Sequence, residues 1–315
     1  METAGFTPAE GGGPVSAKIA DRLPGADLLH PGHMACAGCG ERVAMRLALQ
    51  ILGRDTVFVI PACCAAVVDG VFPYSAMGVP MLHTAFETGA SVATGVRASL
   101  DAQGLSETTV VVWAGDGGTF DIGFQALSAA AERNEDLLYV CYDNEAYMNT
   151  GAQRSSATPL GAWTTTTPAV HPKGRPKKDI LAILAAHRIP YAATASVAFP
   201  EDLMGKVAKA KGIRGTRFLH VLAPCPSGWK YEPDLTIQLA RLAVESCVFP
   251  LVEIEAGSRP RLTYVPPRPR PVAEYLATQG RFAHLPPEGI TSIQQAVEQA
   301  WADLVLASTG RPAHA

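Results

Sequence analysis

Two polar segments carry the residues of this 315-residue chain whose types and spacing best suit chemistry. Gly115-Asp116-Gly117-Gly118 follows the apolar run 110–113, and a second segment, which begins with Asp143-Asn144, follows the apolar run 137–140. Glycines let the backbone approach an anionic group closely, and a helix that follows them offers unpaired N–H donors. Asp116 and Asn144 supply hard oxygen ligands, which suit a Mg²⁺ ion that bridges to a phosphate. The two segments therefore predict a diphosphate site held by a metal ion.

A strand–helix–strand unit must position these two segments. Residues 110–113 and 137–140 are short runs rich in β-branched, aromatic or leucine side chains, which is typical of buried strands. Residues 122–133 between them carry apolar side chains at helical spacing. Both polar segments are then expected at the carboxyl ends of neighbouring parallel strands, where open α/β sheets bind their ligands.

Strand and helix patterns alternate along most of the chain, which predicts an α/β fold with a doubly wound, mainly parallel sheet and helices on both faces. Strands are also predicted over residues 56–60, 191–196 and 216–222, and helices over 41–52, 85–100, 178–187, 201–211, 235–245 and 292–306. Residues 158–178 are predicted to form a long polar loop, which in a compact domain is usually functional or bound by a partner. We expect an N-terminal arm over 1–30, the α/β domain over 31–255, and a C-terminal extension over 256–315 that packs on the domain or on a partner subunit.

Composition excludes several classes of function. The net charge of −3 provides no electrostatic reason to expect binding to nucleic acid or to an anionic membrane surface. No apolar stretch approaches the roughly 20 residues that span a bilayer, and the first residues lack a secretory signal pattern, so a cytoplasmic location is expected. Hydrophobic residues make up 48% and charged residues only 17% of the chain, which favours a subunit of a larger assembly over a well-buried monomer.

The seven cysteines suggest a second site. Cys36 and Cys39 form the only C-x-x-C pair, and this spacing alone is compatible with zinc, a redox dithiol or an iron–sulfur cluster. A zinc ribbon is disfavoured because no second C-x-x-C follows. Further ligands must then come from distant positions, and Cys63, Cys64 and Cys225 are expected at strand ends. Buried structural roles are predicted for the two remaining cysteines, Cys141 and Cys247.

The two polar segments resemble those of a known family. G-D-G, followed by an asparagine 28 residues after the aspartate, resembles the thiamine diphosphate-binding motif. The longer sequences GDGGTFDIG and YDNEAYMNTGAQRSSATP resemble segments of the β subunit of 2-oxoacid:ferredoxin oxidoreductases of the pyruvate synthase type. The resemblance extends from about residue 33 to about residue 229, and more loosely to residue 282. It implies thiamine diphosphate, Mg²⁺ and a 4Fe–4S cluster as cofactors.

The resemblance also implies roles for individual residues. The diphosphate would be cradled by Gly115, Gly117 and Gly118. The Mg²⁺ ligands would be Asp116, Asn144 and the carbonyl of Ala146. The cluster ligands would be Cys36, Cys39, Cys64 and Cys225, with Cys64 preferred to Cys63 because the family usually places glycine before a single cysteine here. Glu41 and Tyr147 would contact the cofactor, although a helix-terminal carboxylate and a packing residue are their ordinary roles. Asn149 would lie beside the reactive carbon of the cofactor and orient the substrate.

The activity and the partners implied by the resemblance are equally specific. A 2-oxoacid, most readily pyruvate, would be oxidatively decarboxylated with coenzyme A as acyl acceptor, and electrons would pass singly through the cluster to ferredoxin. An α subunit would supply the glutamate that activates thiamine, and γ and ferredoxin-like δ subunits would complete the assembly, so the chain is expected to be inactive alone. Two alternatives stay open: a non-oxidative thiamine enzyme, and a metal-stabilised interaction subunit.

Overall fold

The computed structural model describes residues 27–71 and 73–310. Most of the predicted N-terminal arm, residues 1–26, lies outside the described residues. The described strands form one sheet of eight strands: β1 (Thr56–Pro61), β2 (Met81–Thr84), β3 (Thr109–Gly115), β4 (Leu137–Asp143), β5 (Tyr191–Ser196), β6 (Thr216–Leu222), β7 (Val252–Glu255) and β8 (Arg261–Leu262).

The strand order is β2-β1-β3-β4-β6-β5-β7-β8. The six strands from β2 to β5 in this order pair in parallel, whereas β7 and β8 pair antiparallel. This confirms the predicted α/β fold with a mainly parallel sheet. The short strands β2, β7 and β8 were not predicted. In β2 the reason is visible, because this edge strand exposes Leu82 and His83 and so lacks the buried apolar run that marks a central strand.

Helices and the connecting turns follow the chain in this order: α1 (Gly40–Leu52), α2 (Ala65–Val68), α3 (Gly89–Ala102), a π-helical turn (Gly117–Ile122), α4 (Phe124–Glu132), α5 (Ile180–Ala186), α6 (Pro200–Lys211), α7 (Pro226–Trp229), a 3-10 turn (Pro233–Leu235), α8 (Thr236–Glu245), α9 (Val272–Ala277), a second 3-10 turn (Gly280–Phe282) and α10 (Pro287–Thr309). The helix predicted over 122–133 begins later than expected, because the π-helical turn occupies the residues before it. Between β4 and α5 the chain has no helix or strand, so the predicted polar loop spans residues 144–179.

The helices cover both faces of the sheet. Apolar residues of α1 and α6 pack with Phe58, Ile60 and Trp113 on one face. On the other face, α3, α4 and α5 pack with Val110 and Val112. Small residues allow the close approach of α3, since a Cβ on Gly89 would lie 3.0 Å from Val112 Cγ1. Cys141 and Cys247 are buried, as predicted.

The C-terminal segments form a third apolar cluster at one end of the sheet. Val272 and Tyr275 of α9 pack there with Trp229 of α7, together with Leu239 of α8 and Phe282. The last helix, α10, has no fully buried residue and contacts this cluster only through partly buried side chains. Among the described residues, no helix combines the length and the apolar character that crossing a membrane requires.

Candidate functional site

The two polar segments meet at one edge of the sheet. β3 and β4 are neighbouring parallel strands, with Gly115 opposite Tyr142, so Asp116 and Asn144 both follow carboxyl ends of strands. Both side chains are buried, with exposures of 0% and 5%. The structure therefore brings together the two residues that the sequence suggests as metal ligands.

Three oxygen atoms converge at this point. In one orientation of the Asn144 amide, its oxygen lies 3.0 Å from Asp116 Oδ1 and 3.0 Å from the carbonyl oxygen of Ala146. In the opposite orientation, the amide nitrogen donates hydrogen bonds to both atoms. Octahedral Mg²⁺ binds oxygen at about 2.1 Å, which places adjacent ligand oxygens about 3.0 Å apart. In the first orientation these two separations match those between adjacent Mg²⁺ ligands, and in the second the same atoms are hydrogen-bonded without a cation.

No cation among the described residues forms an ion pair with Asp116, although the charge of Lys177 acts on its carboxylate from a greater distance. Burial, together with the neighbouring carboxylate of Asp143, raises the pKa of Asp116 well above its ordinary range. Ser155 Oγ donates a hydrogen bond of 2.5 Å to Oδ2 of the Asp116 carboxylate. A divalent cation beside Asp116 would favour the charged carboxylate that coordination requires.

Two cations from distant segments hold the backbone around Asn144. Lys177 forms ion pairs with both flanking carboxylates, Asp143 and Glu145, and its Nζ lies 2.9 Å from Glu145 Oε1. Arg281 Nη2 lies 2.6 Å from Glu145 Oε2. Burial alone would raise the pKa of Asp143, but Lys177 and His220 outweigh it and lower the pKa to about 2. Neither cation was identified as a site residue from the sequence.

These contacts stabilise an unusual backbone conformation. Glu145 has φ 66°, in the left-handed region that residues other than glycine rarely adopt. This turn directs the Asn144 side chain and the Ala146 carbonyl to the same place. The carbonyl of Asn144 itself accepts a hydrogen bond of 2.7 Å from Trp229 Nε1. The segment around Asn144 is therefore held from both sides by contacts with distant parts of the chain.

The three glycines line a cavity of about 220 Å³ beside these oxygens. None of the three has a positive φ, so close approach and not backbone freedom explains their presence. A Cβ on Gly117 would lie 2.3 Å from Tyr147 Cδ1. The Tyr147 hydroxyl donates to Asp121 Oδ2 at 2.8 Å, which fixes the ring against the three glycines, called the glycine cradle below. The cavity is lined by Gly115, Gly117, Gly118, Cys63, Cys64, Phe86, Tyr142, Asn144, Ala146, Tyr147 and Asn149, among others.

A second cavity, of about 460 Å³, adjoins the first and is called the cysteine cavity below, because four cysteines line it. It is lined by Cys36, Cys39, Cys64 and Cys225, and by Glu41, among others. Cys64, Asn144 and Asn149 line both cavities, and Asn149 is exposed. Cys63 lines only the smaller cavity.

Hydrogen bonds bring the C-x-x-C turn to the loop that contains Cys225. Cys39 N donates to the Cys36 carbonyl at 3.2 Å, which closes the turn, and Gly40 N donates to the Pro224 carbonyl at 3.1 Å. Gly38 has φ 69° and leaves no room for a side chain, because a Cβ there would lie 2.4 Å from the Pro233 oxygen. The turn thus depends on glycine at that position.

Within residues 27–71 and 73–310, no three His, Cys, Asp or Glu side chains are close enough to chelate a single metal ion. A 4Fe–4S cluster makes a different demand, since each thiolate binds a separate iron. Burial raises the pKa of Cys39 to about 12, and the charge of Glu41 adds to this effect. The thiol is therefore protonated unless a metal binds it.

Glu41 lies at the junction of the sheet, α1 and the cysteine cavity. Its Oε1 accepts a hydrogen bond of 3.0 Å from Trp113 Nε1, and Oε2 lies 3.8 Å from Cys39 Sγ. Burial raises its pKa to about 7. It also occupies the first turn of α1, where the helix dipole favours a carboxylate.

Residues 64–221 match the family described as thiamine pyrophosphate enzyme, C-terminal TPP binding domain. Pyruvate synthase subunit PorB of Methanothermobacter marburgensis is 49% identical over 288 residues, which cover 90% of this chain and 99% of that protein. Ketoisovalerate oxidoreductase subunit VorB of Pyrococcus abyssi is 49% identical over 289 residues, which cover 89% of this chain and 93% of that protein.

Among solved structures, the chain is similar to one from Magnetococcus marinus. That structure is of a 2-oxoglutarate:ferredoxin oxidoreductase with 2-oxoglutarate, coenzyme A and succinyl-CoA bound. The TM-score is 0.54 at 21% identity, and the match covers 70% of this chain and 79% of that chain. At this identity the likeness supports the fold alone.

Proposed function

The chain belongs to the family of thiamine-dependent 2-oxoacid:ferredoxin oxidoreductase subunits that includes PorB and VorB, and from this we propose that it binds thiamine diphosphate, Mg²⁺ and a 4Fe–4S cluster. The resemblance identified from the sequence is thereby confirmed at the level of the family. The cofactor set, the residue roles and the substrate are the proposal.

One observation carries the proposal: with its amide oxygen turned toward them, Asn144 lies at the spacing of adjacent Mg²⁺ ligands from both the Asp116 carboxylate and the Ala146 carbonyl, at the ends of β3 and β4. Asp116, Asn144 and the Ala146 carbonyl would hold the ion, and the adjoining cradle of glycines would accept the diphosphate that the ion bridges. When bound, thiamine diphosphate supplies an electron sink for the carbon next to a carbonyl. The residues of this chain bind and orient that cofactor, and the left-handed turn at Glu145 fixes the ligand geometry.

The adjoining cysteine cavity supports an oxidative reaction. We assign the cluster ligands to Cys36, Cys39, Cys64 and Cys225, which line that cavity together. Cys64 is preferred to Cys63, because Cys63 contacts Tyr142 in the smaller cavity and does not line the cysteine cavity. Asn149, exposed where the two cavities meet, is placed to orient a substrate, whereas Tyr147 and Glu41 border the cofactor space.

Partners complete the proposed enzyme. The relatives are by name subunits, so the chain works with others, and we propose an α subunit that supplies the activating glutamate, with γ and ferredoxin-like δ subunits. Coenzyme A would take the acyl group and ferredoxin the electrons. Two relatives of equal identity are named for pyruvate and for ketoisovalerate, and we propose pyruvate as the substrate, with ketoisovalerate as the second acid to be tested.

Anaerobic purification of the chain with its partner subunits tests the cofactors. We expect thiamine diphosphate and about four iron atoms per chain in addition to the iron of the ferredoxin-like subunit, with matching acid-labile sulfide. Cys64→Ala should lose about four iron atoms per chain, and Cys63→Ala serves as the matched control that retains them. The reverse result would overturn the ligand assignment. Bound thiamine without iron would favour a non-oxidative thiamine enzyme, and iron or zinc without thiamine would favour an interaction subunit.

A 2-oxoacid panel tests the activity. The complex should reduce a viologen dye in the presence of coenzyme A and pyruvate, and ketoisovalerate, arylpyruvate and 2-oxoglutarate provide the comparison. The isolated chain should be inactive under the same conditions. A full rate from the isolated chain would contradict the proposed need for an α subunit.

A further inference from the structure

The cysteine cavity has a single cation on its wall. Among the described residues that line it, only Lys230 is a lysine or arginine, and the only acid is Glu41. Lys230 is exposed, and within the part of the chain that the structure describes no carboxylate lies at ion-pair distance from it. The charge at this point of the cavity is therefore free to bind an anion from solution.

Lys230 occupies a backbone position that ordinarily suits glycine. It ends α7 with φ 58° and ψ 64°, in the left-handed region. Its N–H donates to the Pro226 carbonyl at 2.8 Å, and its carbonyl accepts from Gly280 N at 2.9 Å. A Cβ on Gly280 would lie 2.8 Å from Lys230 Cβ, so the neighbouring chain leaves space for this side chain. Strained positions of this kind persist where surrounding contacts impose them, and they concentrate at functional sites.

An aromatic ring directs the ammonium group. Lys230 Nζ lies 3.1 Å from the centroid of the Trp163 ring, which also lines the cavity. Trp163 comes from the long loop, and its backbone N–H donates to the Arg281 carbonyl at 2.9 Å. A cation held over an aromatic face keeps its charge, because the ring offers attraction without neutralising it. The lysine is thus positioned without being paired.

We propose that Lys230 is an anion-binding residue of the cysteine cavity and binds the carboxylate of the 2-oxoacid or a phosphate of coenzyme A. This inference rests on the proposed function, since it assumes that both anionic reactants enter this cavity. The two sources share one chemistry, an oxyanion that accepts hydrogen bonds from an ammonium group. Because no other cation lines the cavity in the described structure, loss of Lys230 removes its only positive charge.

Kinetics of the complex with its partner subunits test the proposal. The variants are Lys230→Gln, the conservative Lys230→Arg, and Arg175→Gln, which removes a charge from an exposed loop position outside both cavities. Lys230→Gln should raise the KM for the bound reactant by about tenfold or more, the scale of a hydrogen bond to a charged group. Arginine should restore much of the loss, and Arg175→Gln should change neither KM.

This experiment distinguishes the two possible sources of the bound anion, the 2-oxoacid and coenzyme A. A rise confined to the KM for the 2-oxoacid assigns the carboxylate, and a rise confined to the KM for coenzyme A assigns the phosphate. KM values of Lys230→Gln that stay within about twofold of the wild type for both reactants would overturn the proposal.

A binding measurement needs no turnover and no variant. Reductive methylation of lysines in the wild-type complex, followed by mass spectrometry, should be slowed at Lys230 by the bound reactant. Lys211, whose ammonium group contacts the carbonyls of Ile51 and Leu52, is the internal reference that should not respond. Equal methylation of Lys230 with and without either reactant would count against the proposal. Failure of the proposed function is distinct, since the wild-type complex would then oxidise no 2-oxoacid.

Discussion

Replacing Gly117 with alanine is expected to damage the cofactor cradle through Tyr147. The new Cβ would lie 2.3 Å from Tyr147 Cδ1 and 2.5 Å from Cε1, whereas ordinary contacts are 3.4–4 Å. The ring must therefore shift by about 1 Å, a movement of the kind that overpacking forces on a neighbour. It resists this shift because its hydroxyl donates to Asp121 and its ring packs edge-on against Phe86 at 6.0 Å.

The expected cost follows from this clash. Gly117 does not have a positive φ, so alanine adds no backbone strain and the whole effect comes from overpacking, about 1–3 kcal/mol. Tyr147 and Gly117 line the same cavity of about 220 Å³, so we expect the displaced ring to take up part of the space proposed for the diphosphate. If the whole of this cost is lost from the free energy of binding, the affinity for Mg²⁺–thiamine diphosphate drops by about 5- to 150-fold.

Calorimetric titration of the purified chain with Mg²⁺–thiamine diphosphate measures the loss of affinity in Gly117→Ala. Thermal unfolding measures how far the substitution destabilises the free protein. Gly228→Ala is the matched control. Its Cβ would lie even closer to a neighbour, 2.1 Å from Met148 Sδ, but a flexible thioether can rotate away, so a smaller loss is expected. In the double variant with Tyr147→Leu, most of the Gly117→Ala loss should disappear relative to Tyr147→Leu alone. Wild-type affinity in Gly117→Ala, or an undiminished loss in the double variant, would refute the reasoning.

Three further predictions concern buried charge and metal. Lys177→Met leaves Asp143 and Glu145 buried with less compensation, so denaturant unfolding should show a loss of about 3–5 kcal/mol, and an unchanged free energy of unfolding would contradict this expectation. Burial raises the pKa of Glu253, but a hydrogen bond from Tyr191 and two neighbouring cations outweigh it and lower the pKa. The stability that the ionised Glu253 contributes is present above its unfolded pKa and lost as the pH falls through the folded one. The gap in unfolding free energy between wild type and Glu253→Gln should therefore shrink below about pH 4.5. A gap that does not change with pH would show that this pairing is unimportant. Chelation with EDTA should release thiamine diphosphate from the isolated chain, with recovery on added Mg²⁺, and retention without metal would argue against the proposed clamp.

The central part of the fold could be predicted because its signals are local. β5 and β6 begin and end at the residues that the sequence pattern predicted, because every residue of both strands is buried. The π-helical turn after Asp116 could not be predicted, because apolar periodicity carries no information about a shifted backbone hydrogen-bond pattern. The short antiparallel strands β7 and β8 likewise lack length and a distinctive pattern.

The candidate site shows the same division. Asp116 and Asn144 could be paired from the sequence, because each follows a recognisable strand and neighbouring parallel strands end at one edge. Lys177 and Arg281 could not, because nothing near them in the chain indicates their partners. Arg281 binds Glu145 across 136 residues of sequence, and only the packing of the C-terminal segments brings them together.

By itself, the sequence determined which chemical groups this protein places at the ends of its strands: glycines, hard oxygen ligands and a set of thiols. That information is local, because strand patterns and turn residues act over a few positions. Only the tertiary structure decided how these groups meet, with the Asn144 amide 3.0 Å from both the Asp116 carboxylate and the Ala146 carbonyl, and with a left-handed Glu145 held by two cations. It also placed the Lys230 ammonium group over the Trp163 ring. Such arrangements arise from side chains of distant segments, whose positions depend on the packing of the whole core.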